Sequence, residues 1–240
     1  MIKFFRHIRK SFLIENKTGK YFKYAAGEIV LVVIGILIAL GINNWNQEIK
    51  DNKLSKEYLS RIHRDMVQDT INFRNSIKSN AALRNDIRKA LVILYQEINN
   101  VEQVHKIASV FDYATDQIFS PNQNTYTGMI NSGALQLIKN LELKEAIINL
   151  YGEYDEKRAL FLGNGNWINN IISHVDIQTD LTKFSPNHLD IFTKQEMTSD
   201  KEWAFLNNKT DKKFKFIVRF FTSAAWQQKI SDGYYTELIN

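Results

Sequence analysis

Two short pairs of residues in this 240-residue sequence have types and spacing that could support chemistry. Glu102 and His105 form a Glu-x-x-His pair, which on a helix places a carboxylate and an imidazole on one face, as in half of a di-iron carboxylate site. A complete site needs a second such pair and two further glutamates, and the sequence contains no second pair. His174 and Asp176 have no nucleophile motif beside them, and we expect them to be solvated surface residues.

Other catalytic patterns are also missing from the sequence. It has no nucleophile elbow, no glycine-rich nucleotide fingerprint and no His-Glu-x-x-His zinc motif. The absence of cysteine excludes disulfides, thiolate metal sites and thiol catalysis. We therefore predict no catalytic residue, no metal ligand and no cofactor.

The net charge of +5 does not indicate a nucleic-acid-binding protein. Residues 1–24 contain seven Lys and Arg against one Glu, which is +6, so the remainder of the chain nets −1. Phosphate binding needs positive charge on the folded part of a protein. The basic residues instead belong to a short tail beside an apolar segment, and nucleic acid is excluded as a partner.

An apolar segment follows this tail and predicts a transmembrane helix over residues 21–45. Ala25 to Ile42 contains 18 residues with one charge, Glu28, and as a helix it would span about 27 Å, close to the thickness of a bilayer core. Aromatic residues mark the expected membrane interfaces, with Tyr21, Phe22 and Tyr24 at one end and Trp45 at the other.

Charge asymmetry predicts the orientation of this helix. The preceding tail is strongly basic, whereas the charges just after Trp45 cancel, so the N-terminus is expected in the cytoplasm and residues 46–240 in the periplasm. A cleaved signal peptide is the alternative, since Ala39-Leu40-Gly41 has the pattern of a cleavage site. The long aromatic-containing region before the apolar run favours a permanent anchor in the inner membrane.

Three residues of the segment are candidates for contact with a partner inside the membrane. Glu28 could bind a partner subunit, although its place near the helix N-terminus also suits an anion without any partner. Gly35 and Ala39 have the small-xxx-small spacing of closely packed membrane helices. Residues 1–20 are predicted to form a basic amphipathic segment on the cytoplasmic leaflet, with a disordered tail as the alternative.

The rest of the chain predicts helices, because it has 2 prolines and 10 glycines and no glycine between Ile42 and Thr127. Apolar residues at spacings of three and four predict one helix to about Lys78 and a second over 83–98. Further helices are expected over 101–118, over 126–139 with an interruption at Ser132-Gly133, and from an Asn140 N-cap to a glycine-rich break at 163–167. The last helix is expected over residues 211–231.

This last helix is apolar on two faces, which indicates either burial in the core or a shared surface. One stripe in this helix contains Phe214, Ile217, Val218 and Phe221, and the other contains Phe216 and Phe220. Burial is favoured for the helix, and Phe216, Phe220 and Trp226 are the candidates for contact with a partner or a second copy.

Three stretches of the sequence carry a family resemblance: "MIKFFRHIRK", "NKTGKYFKYAAGEIVLVVIGILIALGINNWNQ" and "NSGALQLIKNLELKEAI". They resemble a family of bacterial single-span membrane proteins known as a domain of unknown function, and the similarity is strongest from Gly27 to Asn46. The resemblance implies that Glu28, Asn43, Asn44, Trp45, Ser132 and Gly133 are family features. It implies a topology and no activity, and Gly41 departs from the glutamine associated with that position.

The sequence thus predicts an all-α protein with one N-terminal transmembrane helix and a periplasmic helical bundle. Its predicted function is that of an interaction, scaffold or accessory subunit of a membrane complex, with the lipid bilayer and a membrane protein or a second copy as partners. A membrane-tethered ligand-binding or sensor module is the alternative, which requires a pocket between helices. A metal-dependent enzyme comes third.

Overall fold

The computed structural model describes residues 18–115, 119–173, 181–188 and 200–240, which form helices and connecting segments and contain no strand. The α-helices in this part of the chain are α1 Thr18–Tyr95, α2 Val101–Tyr113, α3 Asn124–Ser132, α4 Leu141–Ser173, α5 Asp200–Trp203 and α6 Lys212–Ile239. Short 3-10 turns lie at Ala134–Leu137, Pro186–His188 and Ala204–Asn207. The prediction of an all-α fold is confirmed.

Helix α1 is a single helix of 78 residues and about 117 Å. Its N-terminal part is long and apolar enough to cross a membrane, as a span or as a signal sequence, and none of that part is buried against the rest of the chain. The expected end near Lys78 is wrong. Residues 78–83 lack glycine and proline, and Asn80 donates a hydrogen bond to Asp232 at 2.8 Å, so nothing there interrupts the helix.

The C-terminal half of α1 packs against α6, which runs in the opposite direction. The Tyr95 ring contacts Phe214 near the start of α6, and the Phe73 ring contacts Tyr235 near its end, with centroids 5.7 and 5.4 Å apart. Buried residues of α1 recur at intervals of seven, at 62 and 69 and at 73, 80, 87 and 94. This spacing is typical of helices that pack along a long, nearly parallel seam.

Two apolar clusters form the interior of the bundle. The proximal core, nearer the apolar segment, includes Ile62, Phe73, Met129, Tyr151 and Tyr235. The distal core includes Ile87, Leu94, Ile107, Phe184 and Phe220. Helices α1 and α6 contribute to both cores, so these two helices join them into one bundle.

Helix α4 runs without a break through Gly163–Trp167, where the sequence predicted one, and that prediction is wrong. A glycine in a helix costs about 1 kcal/mol relative to alanine. Phe161 and Ile168, on either side of the glycines, are buried in the two cores, and this burial offsets the cost. The predicted start is confirmed, because the Asn140 side chain accepts a hydrogen bond from the Leu143 N–H at 3.0 Å.

Other predicted boundaries agree with the structure in part. Helix α2 begins at Val101 as expected but ends at Tyr113, before the predicted end at residue 118. Helix α3 ends where the Ser132-Gly133 interruption was expected, and Gly133 has φ 72°, a left-handed conformation that glycine adopts without strain. Helix α6 continues eight residues beyond the predicted end at Ser231. The extension follows from packing, because Tyr235, Leu238 and Ile239 lie against the proximal core.

Candidate functional site

A cleft of about 700 Å³ lies between α1 and α2. Its walls are one face of each helix, and Pro186 of a 3-10 turn lies at its edge. The lining residues are Asp86, Lys89, Ala90 and Ile93 from α1 and Glu102, His105, Lys106, Ser109, Val110 and Tyr113 from α2. The volume lies within the range of small-molecule sites in proteins.

Local sequence sets the orientation of both walls. The α1 residues lie three, four and seven positions after Asp86, so they share a face of that helix. Helix α2 begins at a side-chain cap, in which Asn100 accepts from the Gln103 N–H at 3.0 Å and Gln103 accepts from the Asn99 N–H at 2.9 Å. These two hydrogen bonds fix the first turn of α2 and therefore the positions of Glu102 and His105.

The polar groups of the cleft are only partly paired with one another. Lys89 donates to Asp86 at 3.0 Å, and the Tyr113 hydroxyl lies 3.5 Å from the other Asp86 oxygen. Burial, and then the charge of Asp86, raises the pKa of Tyr113 above its usual value, so this hydroxyl stays protonated. The Nε2 atom of His105 is buried and has no hydrogen-bond partner among the described residues.

The structure places Glu102 and His105 on one wall of the cleft, as the spacing predicted. Within the described ranges, no three His, Asp or Glu side chains converge closely enough to hold a metal ion. His63 lies exposed on α1, and His188 lies 3.4 Å from Asp112. His7, His174 and Asp176 lie outside the described residues. The cleft therefore offers charged and hydrogen-bonding groups around an apolar surface.

A second polar cluster lies in the proximal core and was not predicted from the sequence. Asp69 is 1% exposed and accepts hydrogen bonds from the Asn122 N–H and side chain and from the Tyr154 hydroxyl. Asp65, one turn earlier, accepts from Thr125 at 2.5 Å. Burial raises the pKa values of Asp69 and Tyr154, so both groups favour their neutral forms more than usual.

The signal for this cluster lay in the apolar stripe of α1. Spacings of four from Ile62 lead to Met66 and Thr70, but Met66 is 40% exposed and Asp69 occupies the buried position instead. An acidic residue seven positions from Ile62 therefore marks the place where α1 holds the segment at 119–123. A seven-residue spacing from Ile62 identifies Asp69, whereas spacings of three and four identify Ile62 and Phe73 correctly but miss Asp69 between them.

The three candidates for contact on α6 lie in different environments. Phe216 and Phe220 are buried in the distal core, where the Phe220 ring contacts the Phe111 ring at a tilt of 40° with centroids 4.3 Å apart. These two side chains are not available at the surface, because both pack within the distal core. Trp226 is 55% exposed and contacts only the edge of Trp167 on α4, at a centroid distance of 5.7 Å, among the ring contacts described.

The candidates in the apolar segment lie along the first part of α1. Phe22, Tyr24 and Trp45 are 71%, 54% and 66% exposed. The side chain of Tyr21 lies outside the described part of the chain, as do residues 1–17 of the predicted amphipathic segment. A methyl group on Gly35 would meet no atom within 4 Å, so the chain itself gives no packing reason for a glycine there.

Fold and site together define the class of the protein: an all-helical bundle built on one long helix whose N-terminal part is suited to a membrane. The chain belongs to the family of unknown function DUF6090, which matches residues 28–209. The match covers both walls of the cleft and ends before α6. No curated protein and no solved structure matches the chain.

Proposed function

We propose that this protein is a single-pass protein of a bacterial inner membrane and acts as an interaction or scaffold subunit of a membrane complex. Its N-terminal tail lies in the cytoplasm, residues 21–45 cross the bilayer, and the bundle lies in the periplasm. The excess of positive charge before the apolar segment supports this orientation.

The observation that carries the proposal is the unbroken path of α1. The helix that contains the apolar segment enters the bundle without glycine or proline after Gly41 and reaches the far end of the distal core. Lys139, just before α4, pairs with Glu48 at 2.5 Å, three residues after Trp45. The bundle is thus attached rigidly to the apolar segment, and a partner bound to either part would position the other.

Topology can be tested with single cysteines, because the chain has none of its own. Lys56→Cys lies on an exposed position of α1, and Lys10→Cys lies in the tail. In cells with a permeabilised outer membrane, a membrane-impermeant maleimide should label Lys56→Cys, whereas Lys10→Cys should react only after lysis. Labelling in the reverse order would overturn the orientation.

The mass of the mature chain separates the anchor from the signal peptide. A retained anchor gives the full 28.0 kDa, whereas cleavage after Gly41 would remove the tail and most of the apolar segment. The full-length protein, purified in mild detergent from its native membrane, should also carry a membrane protein in fixed stoichiometry. A monomeric protein without a partner would refute the role of accessory subunit.

A further inference from the structure

The rim of the cleft between α1 and α2 carries two opposite charges that are not paired. Glu102 and Lys106 lie one turn apart on α2, at a spacing where ion pairs commonly form. Neither makes an ion pair or a hydrogen bond with the described residues, whereas Lys89 and Asp86 on the opposite wall pair with each other. One carboxylate and one ammonium group therefore remain available at the same rim.

The interior of the cleft between these charges is apolar. Ala90, Ile93 and Val110 line it, and the side chain of His105 forms part of the same wall. Nε2 of His105 is buried beneath this surface, so it does not face the cleft. The cleft can therefore accept an apolar group between the two charges.

We infer that this cleft binds a small zwitterion with an apolar body, such as an apolar amino acid or a short peptide. Its ammonium group pairs with Glu102, its carboxylate pairs with Lys106, and its side chain lies against Ile93 and Val110. A ligand with a net charge would meet one attractive and one repulsive group at this rim, whereas a zwitterion meets two attractive ones.

Such a ligand would contact both helices of the cleft, so its binding would hold α2 against α1. Binding of this ligand requires neither membrane attachment nor a partner protein. The site is therefore independent of the role proposed above.

The test compares ligands that differ only in charge. L-leucine and L-leucyl-L-leucine are the zwitterions, and their N-acetyl and amide forms are the singly charged analogues. Each is titrated calorimetrically into the full-length protein in detergent, and the thermal unfolding midpoint is measured alongside. We expect both zwitterions to bind saturably and at least tenfold more tightly than either analogue.

Variants then locate the site. Glu102→Gln and Lys106→Gln should each weaken zwitterion binding about tenfold, as expected for the loss of one charge-assisted hydrogen bond. Glu145→Gln and Lys215→Gln, at exposed positions on α4 and α6, are the matched controls and should leave affinity unchanged. Each of three results would overturn the inference: no saturable binding of either zwitterion, equal binding of the analogues, or unchanged affinity in both rim variants.

Discussion

Asp69 of α1 holds Asn122 through three hydrogen bonds, two from the Asn122 N–H to the two carboxylate oxygens at 3.0 and 3.1 Å and one from its side chain at 2.6 Å. This contact fixes the segment that leads into α3. Because the residues lie 53 positions apart, it also closes the proximal core over a long stretch of chain.

Replacing Asp69 by alanine should leave the Asn122 N–H and the Tyr154 hydroxyl without an acceptor. Each buried polar group left unpaired costs about 1–3 kcal/mol, so we expect the free energy of unfolding to fall by at least about 2 kcal/mol. Urea unfolding of the full-length protein in detergent, followed by circular dichroism, measures the change. Asp155→Ala, at an exposed position on α4, is the control and should cost less than about 0.5 kcal/mol.

The stability contribution of Asp69 should also depend on pH. Burial raises its pKa in the folded protein above the usual 3.8, so between these two values the folded state keeps a proton that the unfolded state has lost. The contribution of Asp69 to the free energy of unfolding is therefore fully present below its pKa in the unfolded state, and it is lost as pH rises through its pKa in the folded state.

The test is the difference in unfolding free energy between the wild type and Asp69→Asn, measured from pH 3.5 to 7. Asparagine does not titrate, so the difference isolates Asp69 from carboxylates such as Glu48, whose pKa is lowered by Lys139. The wild type should lose stability relative to Asp69→Asn as pH rises. A relative gain would contradict the assignment of a raised pKa.

Asp232 of α6 should be more important for stability than the exposed ion pairs. It accepts from Asn80 at 2.8 Å and pairs with Arg84 at 2.6 Å, and both side chains of the ion pair are largely buried. A double-mutant cycle of Arg84→Ala and Asp232→Ala should give a coupling of about 1 kcal/mol or more. The exposed pair Glu57–Arg61, at 2.5 Å, is the matched control and should couple by less than about 0.5 kcal/mol. Equal couplings would show that burial adds nothing to the Asp232 pair.

Sequence patterns predicted the features that depend on local composition. The apolar start of α1, the Asn140 cap and the turn at Gly133 follow from neighbouring residues alone. Continuity of α4 past Gly163 did not follow, because it depends on burial in the two cores, and the extension of α6 to Ile239 did not follow, because it depends on packing against the proximal core. Local propensity is worth less than about 1 kcal/mol per residue, and packing of this kind exceeds it.

The candidate site was predicted only in part, for a related reason. Glu102 and His105 could be found because they are neighbours on one helix. Asp86 and Lys89 lie on the opposite wall, and their alignment with α2 is set by the packing of Ile87, Ala90 and Leu94 in the distal core. Sequence patterns do not predict how α1 and α2 align, so they did not predict the cleft between these helices.

The rigid attachment of the bundle can be tested by introducing a proline between the apolar segment and the bundle. Lys50→Pro removes a helical hydrogen bond and clashes with the preceding turn, which kinks or breaks a helix. Spin labels at Ile42→Cys and Lys56→Cys, about 21 Å apart along an unbroken helix, should give one narrow distance distribution.

In the Lys50→Pro protein this distribution should shorten or broaden, while the thermal unfolding of the bundle changes little. The bundle should tolerate the change because burial against it begins only near Ser55. Lys50→Ala is the control and should keep the narrow distribution. A broad distribution already present in the unmodified helix would refute rigid attachment.

Trp226 and Phe220 lie on the same helix, but truncation should lower the free energy of unfolding much more at Phe220 than at Trp226. Phe220 is 1% exposed in the distal core, so Phe220→Ala should lower the free energy of unfolding by about 3–5 kcal/mol through loss of burial and the cavity that remains. Trp226 is 55% exposed, and Trp226→Ala should cost less than about 1 kcal/mol.

If Trp226 contributes to binding a partner, its truncation should instead reduce the amount of partner recovered with the full-length protein, because exposed tryptophans are frequent hot spots of interfaces. Quantitative mass spectrometry of the purified complex, with Lys229→Ala as an exposed control on the same helix, measures that loss. Full recovery of the partner with Trp226→Ala would remove this face of α6 from the interface and leave the apolar segment as the remaining candidate.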